Sequence, residues 1–202
     1  MHSVDEAEGV CGVAFAKPKK REPVGEAGLF EYALKTLTVR MRTERDLRRL
    51  MKSRAEEGHA GEQAMDAVVL RLKDLRYLSD TRFAADYTRM RKENQGFGRR
   101  RVQQDLTQKG IHKETVAAAV SAAFDESDEV ALARAYVTRK RMKKPVDQKE
   151  TVRVMNRLIR AGYSSSAIFK LLRSWEIPED AMLEEGGGDS DSYAEHEEEA
   201  AE

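Results

Sequence analysis

The side chains on which catalysis or metal chemistry would have to rest are few and scattered. The four histidines are His2, His59, His112 and His196, and the single cysteine is Cys11. A zinc site needs several such ligands converging, yet no two histidines stand at i, i+4 and none has a cysteine partner. Cys11 has no base near it in the sequence, so a thiolate nucleophile is not expected, and a lone cysteine excludes an internal disulfide. No Gly-x-x-x-x-Gly-Lys-Ser/Thr loop is present to cradle a phosphate. Gly96-Phe97-Gly98 has no strand before it and lacks the rest of a dinucleotide fingerprint. His112 precedes a helix, where a local cap or a surface position accounts for it. Asp125, Glu126, Asp128 and Glu129 gather at a helix start, where carboxylates complement the dipole. Neither an enzyme, nor a metal, nor a cofactor is expected.

The cations are the positive signal. Arg99, Arg100 and Arg101 open a helix directly after the glycine pair, and Arg82, Arg89, Arg91 and Lys92 lie on or near the helix before it. Arg139, Lys140, Arg141, Lys143 and Lys144 close a later helix, and Arg153, Arg157 and Arg160 follow on the next. Cations at a helix C-terminus have a structural reason, but Arg99 to Arg101 oppose the dipole at an N-terminus. They are therefore the better functional candidates. Phe83, Tyr87 and Phe30 fall on apolar stripes and are expected in the core, which leaves Phe97 as the freer aromatic.

Lys plus Arg and Asp plus Glu both number 36, so the formal charge is zero, but the distribution is not even. Residues 176–202 hold twelve acidic side chains and no Lys or Arg, and residues 29–175 carry a net charge of +13. Such asymmetry points to polyanionic partners, or to an acidic protein surface. No apolar run approaches the ~18 residues that span a bilayer. The chain starts with acidic residues rather than a basic-then-apolar leader. A soluble cytoplasmic protein is expected, with no membrane contact.

The elements that must position these cations read as helical throughout. Phe30, Ala33, Leu34 and Leu37 follow i, i+3, i+4, i+7 spacing. Thr43 stands as an N-cap with Asp46 at N3, ahead of Leu47, Leu50 and Met51. Met65, Val68, Val69, Leu72 and Leu75 give a third stripe. Ser79 and Asp80 start a fourth, with Phe83, Tyr87 and Met90. Val102 and Leu106 follow the glycines, with Gly110 as a C′ residue. Val116, Ala119, Val120 and Ala123 make a sixth. Ser127 is expected to cap a seventh, with Val130, Ala133 and Val137, ended by Pro145. Val152, Met155 and Ile159 mark an eighth, closed by Gly162. Ile168, Leu171, Leu172 and Trp175 mark a ninth.

Nine short helices suggest repeats. Val102 to Ile111 aligns with Val154 to Tyr163 at a shift of 52, and Leu47 to Met51 with Val102 to Leu106 at a shift of 55. The expected architecture is all-α: tandem three-helix units over residues 29–78, 79–124 and 125–182, stacked into an elongated, curved body. A single globular bundle is the alternative. Residues 1–28 and 183–202 show no apolar period and are expected to be a flexible arm and a disordered acidic tail.

Certain segments resemble a known family. Arg76-Tyr77-Leu78-Ser79-Asp80-Thr81-Arg82-Phe83-Ala84 resembles the GYLDDxRFA signature of the RecX family of recombination regulators. Gly96 to Ile111 resembles that family's GxGPxRIxxELxxKGI segment. Leu34-x-x-Leu37 ahead of Thr43 to Leu47 is similar to its AxxxLxxRxxSxxEL opening, and Arg160 to Ser164 to its RRGFS. The match runs through residues 29–175 in order. Arg76 stands where the family has glycine, Arg99 where proline is common, Thr43 for a serine and Asp105 for a glutamate.

The resemblance implies an all-helical tandem-repeat fold without catalytic residues. It also implies binding to the RecA recombinase, chiefly its filament on single-stranded DNA, and restraint of recombination, ATP hydrolysis and coprotease action. Arg82, Arg89, Arg99, Arg100, Arg101 and Lys109 are the residues expected to touch partner or phosphate, from a monomer. The acidic tail is a candidate competitor for the basic groove. A general DNA-binding helical module, with its steep salt dependence, is the second reading.

Overall fold

The structure, a computed structural model, describes residues 23–177. The acidic tail and most of the N-terminal arm lie outside those residues. All regular structure among them is helical, and it groups in threes. The first triplet is α1 (Glu26–Val39), α2 (Glu44–Lys52) and α3 (His59–Asp74). The second is α4 (Asp80–Met90), prolonged by a π turn at Arg91–Gln95, then α5 (Arg99–Gln108) and α6 (Lys113–Phe124). The third is α7 (Glu129–Arg139), α8 (Gln148–Arg160) and α9 (Ser165–Arg173).

Each triplet closes its own core. Leu29, Ala33, Leu47, Met51, Val68 and Leu72 fill the first. Phe83, Tyr87, Val102, Leu106, Val116 and Val120 fill the second. Ala133, Val137, Leu158, Tyr163, Ile168 and Leu171 fill the third. Phe97 and Leu132 pack against both the second and the third. No short helix here could bury its stripe alone, so three around one small core, repeated in series, is the stable solution.

Local chemistry sets the starts and stops. The Thr43 and Ser79 hydroxyls accept from the amides of Asp46 and Arg82, as N-caps do. At helix ends the chain turns left-handed at Arg76, Gly110, Arg141, Gly162 and Glu176, and each turn is followed by a backbone bond back across the last turn. Arg76, in the place of the family's glycine, holds φ at 59°. Three of these five positions tolerate a side chain. The two glycines sit where another helix arrives: a Cβ on Gly110 would lie 2.2 Å from Arg45 Cδ, and one on Gly162 would lie 2.3 Å from the Arg101 amide nitrogen.

Those approaches reveal how the triplets join. The Thr43 hydroxyl, at the start of α2, donates to the Lys109 carbonyl at the end of α5 (3.1 Å). The Glu44 amide donates to Asp80 (2.9 Å). At the next junction the Gly98 and Arg100 amides, at the start of α5, donate to the Ala161 and Gly162 carbonyls at the end of α8 (2.8 and 3.2 Å). The middle helices therefore follow one another head to tail: a free carbonyl ending α5 takes the Thr43 hydroxyl, and those ending α8 take the α5 amides. The outer ends are sealed locally. Asp147 caps α8, and the Arg54 and Ala55 amides close α2 on Met51.

Five details depart from the sequence reading. α1 begins at Glu26, inside the segment expected to be a flexible arm, because Leu29 is wholly buried and anchors that turn. Asp128, not Ser127, caps α7, and Ser127 instead donates to the Ala123 carbonyl. α7 stops at Arg139, before Pro145, in the left-handed turn at Arg141. The α8 stripe is turned by about one residue: Thr151 and Leu158 are buried and Ile159 is exposed. Thr151 can take a core position because its hydroxyl donates to the Asp147 carbonyl (2.9 Å). Phe97 is not free, but wedged between two cores.

Candidate nucleic-acid and protein interface

α4 and α5 meet around a charged cluster. Asp105, only 8% exposed, takes Arg101 Nε at 3.1 Å on one oxygen and Arg91 Nη2 at 3.3 Å on the other. The Tyr87 hydroxyl donates to the same carboxylate at 3.1 Å. Arg91 also reaches the Tyr87 hydroxyl and Gln95, and its guanidinium lies 4.7 Å over the Tyr87 ring. Lys109 Nζ stands 5.4 Å from that ring and 5.8 Å from Phe83. Burial pushes the Tyr87 phenol above its ordinary value, partly opposed by Arg91. Arg91 opens the π turn, and the extra residue of such a turn re-aims side chains. Sequence reasoning noted Arg91 only as one cation among several. Its place at the centre depends on that bulge, which no apolar period reveals.

Of the expected contact residues, this cluster gathers Arg101 and Lys109. Arg99 is drawn elsewhere, to Asp125 at 2.7 Å. Hydrogen bonding from Ser121, then from Arg99, holds that carboxyl below the usual range. Arg89 is exposed and paired with Asp86. Arg82 and Arg100 are exposed, with no side-chain partner among the described residues. The dipole argument for Arg99 to Arg101 is overturned, because their helix start is also the C-terminus of α8. The partial negative charge there offsets the cost of three arginines.

The larger reserve of unpaired charge is on the third triplet. Arg141, Lys143, Lys149, Arg153 and Arg157 are exposed and have no ion pair among the described residues. Lys143, Arg153 and Arg157 border a groove of about 270 Å³ floored by Met142, Pro145 and Val154. Lys92, by contrast, is structural: its ammonium meets the Ala123 carbonyl and the Ser127 hydroxyl (2.7 Å) at the end of α6. His112 precedes α6 without capping it through its side chain. No group of three or more metal-binding side chains occurs among the described residues, and no helix there is long and apolar enough to cross a membrane.

These features define an all-helical protein of tandem three-helix units whose excess cations face outward. The family model "RecX, second three-helix domain" matches residues 79–120. A regulatory protein RecX of Escherichia coli strain SE11 is 32% identical over 156 residues, covering 74% of this chain and 92% of that one. One from Mycobacterium ulcerans is 29% identical over 157 residues, covering 76% and 88%. Two crystal structures share the fold. A regulatory protein RecX superposes with TM-score 0.63 at 22% identity, covering 74% of this chain and 73% of that one. RecX from Lactobacillus salivarius gives 0.58 at 20%, covering 75% and 96%. The chain belongs to the RecX family of regulatory proteins.

Proposed function

We propose that this protein binds the RecA filament on single-stranded DNA and restrains its recombinase, ATPase and coprotease activities, acting as a monomer. The observation that supports this reading is the placement of unpaired cations on successive triplets: Arg82 and Arg100 on the second, Arg153 and Arg157 on the third. Three units, drawn at 29–78, 79–124 and 125–182, would each offer weak contacts to a periodic partner. Linked contacts multiply into tight association without any deep pocket. Arg89, Arg99, Arg101 and Lys109 flank the same helices and add to the field, though their ion pairs and ring contacts lessen what each can give.

The test is ATP hydrolysis by preformed RecA filaments, with this protein at a small fraction of the RecA concentration and a bare-DNA titration alongside. Substoichiometric inhibition with weak bare-DNA binding supports the reading. Inhibition only once the DNA is saturated would make the protein a general DNA binder. The double variant Arg82→Ala/Arg100→Ala removes no intramolecular ion pair, so it should weaken inhibition while leaving the fold intact. Unchanged inhibition and unchanged salt dependence would remove those two residues from the interface.

A further inference from the structure

We infer that the groove between the α7–α8 loop and α8 is the docking site of this protein's own acidic tail, at residues 182–185. The chain leaves the described region beside that groove. Ile177 is buried in the third core, and Glu176 lies 3.7 Å from Lys144, the neighbour of groove residue Lys143. Twenty-five residues follow Ile177, with eleven acidic side chains and no Lys or Arg. The walls and floor of the groove ask for a particular ligand. Lys143, Arg153 and Arg157 supply unpaired positive charge, and Met142, Pro145 and Val154 supply an apolar floor. Its one carboxylate, Glu150, is occupied by the Val146 amide (3.0 Å). Met182-Leu183-Glu184-Glu185 offers two apolar side chains followed by two carboxylates, five to eight residues past Ile177. At ~3.3 Å per residue, that spacing reaches a groove beginning next to Lys144.

A tail seated there covers cations that a polyanion would otherwise meet, so external phosphate must displace it. The covalent ends are fixed, which makes this an intramolecular contest at high effective concentration. The inference concerns bare polyanion binding and stands apart from the filament reading.

The experiment uses the full chain at low salt. Carbodiimide coupling followed by peptide mass spectrometry of the monomeric fraction should join Lys143 to Glu184 or Glu185 in preference to Lys52 or Lys113. A fluorescent thirty-nucleotide oligo-dT is the second probe. Glu184→Gln/Glu185→Gln should bind it about fivefold tighter, the worth of two exposed ion pairs, and the gain should fade in high salt. Arg153→Ala/Arg157→Ala should bind it more weakly and abolish that gain. Couplings spread evenly over the lysines would overturn the inference. So would couplings only between molecules, or an oligonucleotide affinity indifferent to the tail charges.

Discussion

Replacing Gly98 by alanine tests the head-to-tail joining of the middle helices most directly. Gly98 caps α5 with φ −76° and ψ 169°, a conformation that alanine adopts freely, so no backbone strain enters. The whole effect must come from what the new methyl meets. It would lie 2.4 Å from the Gly162 carbonyl oxygen and 2.9 Å from the Tyr163 nitrogen, both backbone atoms. A carbon-to-oxygen contact needs about 3.4 Å, so the α8 terminus must retreat by about 1 Å. That retreat takes the Gly98 to Ala161 and Arg100 to Gly162 hydrogen bonds out of range. At ~1 kcal/mol each, with buried carbonyls left orphaned, the loss is about 3 kcal/mol. The control is built into the protein. Gly25 caps α1 at φ −69° and ψ −174°, also without a side-chain cap, and a Cβ there meets nothing. Urea denaturation of Gly98→Ala and Gly25→Ala, with far-UV circular dichroism as readout, compares the two. If Gly98→Ala falls within about 0.5 kcal/mol of Gly25→Ala, the junction is not held as described.

Other perturbations follow the same geometry. Arg76→Gly relieves a left-handed residue and should raise stability by about 0.5 kcal/mol, net of the added freedom of the unfolded chain, read as a shift in urea midpoint. Asp105→Ala strands the largely buried Arg91 guanidinium and should cost about 3 kcal/mol by denaturation; a loss under about 1 kcal/mol would mean the cluster is not a buried pair. Burial raises the Glu44 carboxyl, but hydrogen bonds from Lys73 and Arg48 outweigh it and hold its pKa below the ordinary value. Its contribution is then complete above the unfolded-state pKa and lost as pH falls through the folded one, so Glu44→Gln should flatten the acid side of the stability–pH curve. Asp80 runs the other way, because burial raises it; its protonated form favours folding at low pH, and that support fades as pH rises through its folded pKa.

Much of the fold was legible because it is written in local chemistry. Thr43 and Ser79 announce their helices by hydroxyl, and Gly110 and Gly162 mark two ends. The shift of 52 that aligns those glycines is the spacing of two equivalent inter-triplet contacts. The errors fall where one triplet touches another or a polar group takes an apolar place. Counting apolar residues puts Ile159 inside and passes over Thr151, since it cannot see that the Asp147 carbonyl satisfies the threonine hydroxyl. Phe97 looked free because its neighbours in sequence are glycines, while its neighbours in space are two cores. The candidate interface was less legible still. Charge type and helix position suggested Arg99 and Arg101, but only distances show that Asp125 and Asp105 hold them.

The basic surface of the described region has a structural cause beyond its excess of cations. Acidic side chains of residues 29–175 are largely engaged within the protein: Asp80 receives an amide from α2, Glu129 the Ser164 amide and hydroxyl, and Asp128 and Asp147 cap helices. Asp105 and Asp125 hold arginines. Several of these carboxylates join or cap short helices whose small cores hold little on their own. Some cations share that work, as Arg91, Arg101 and Lys92 do, but others such as Arg82, Arg100, Arg153 and Arg157 are left without an ion pair among the described residues. Exposed unpaired cations therefore stand on the second triplet, at Arg82 and Arg100, and on the third, at Arg153 and Arg157. Under the proposed function this surface would meet a negative and repetitive partner, the chemistry of a nucleoprotein filament.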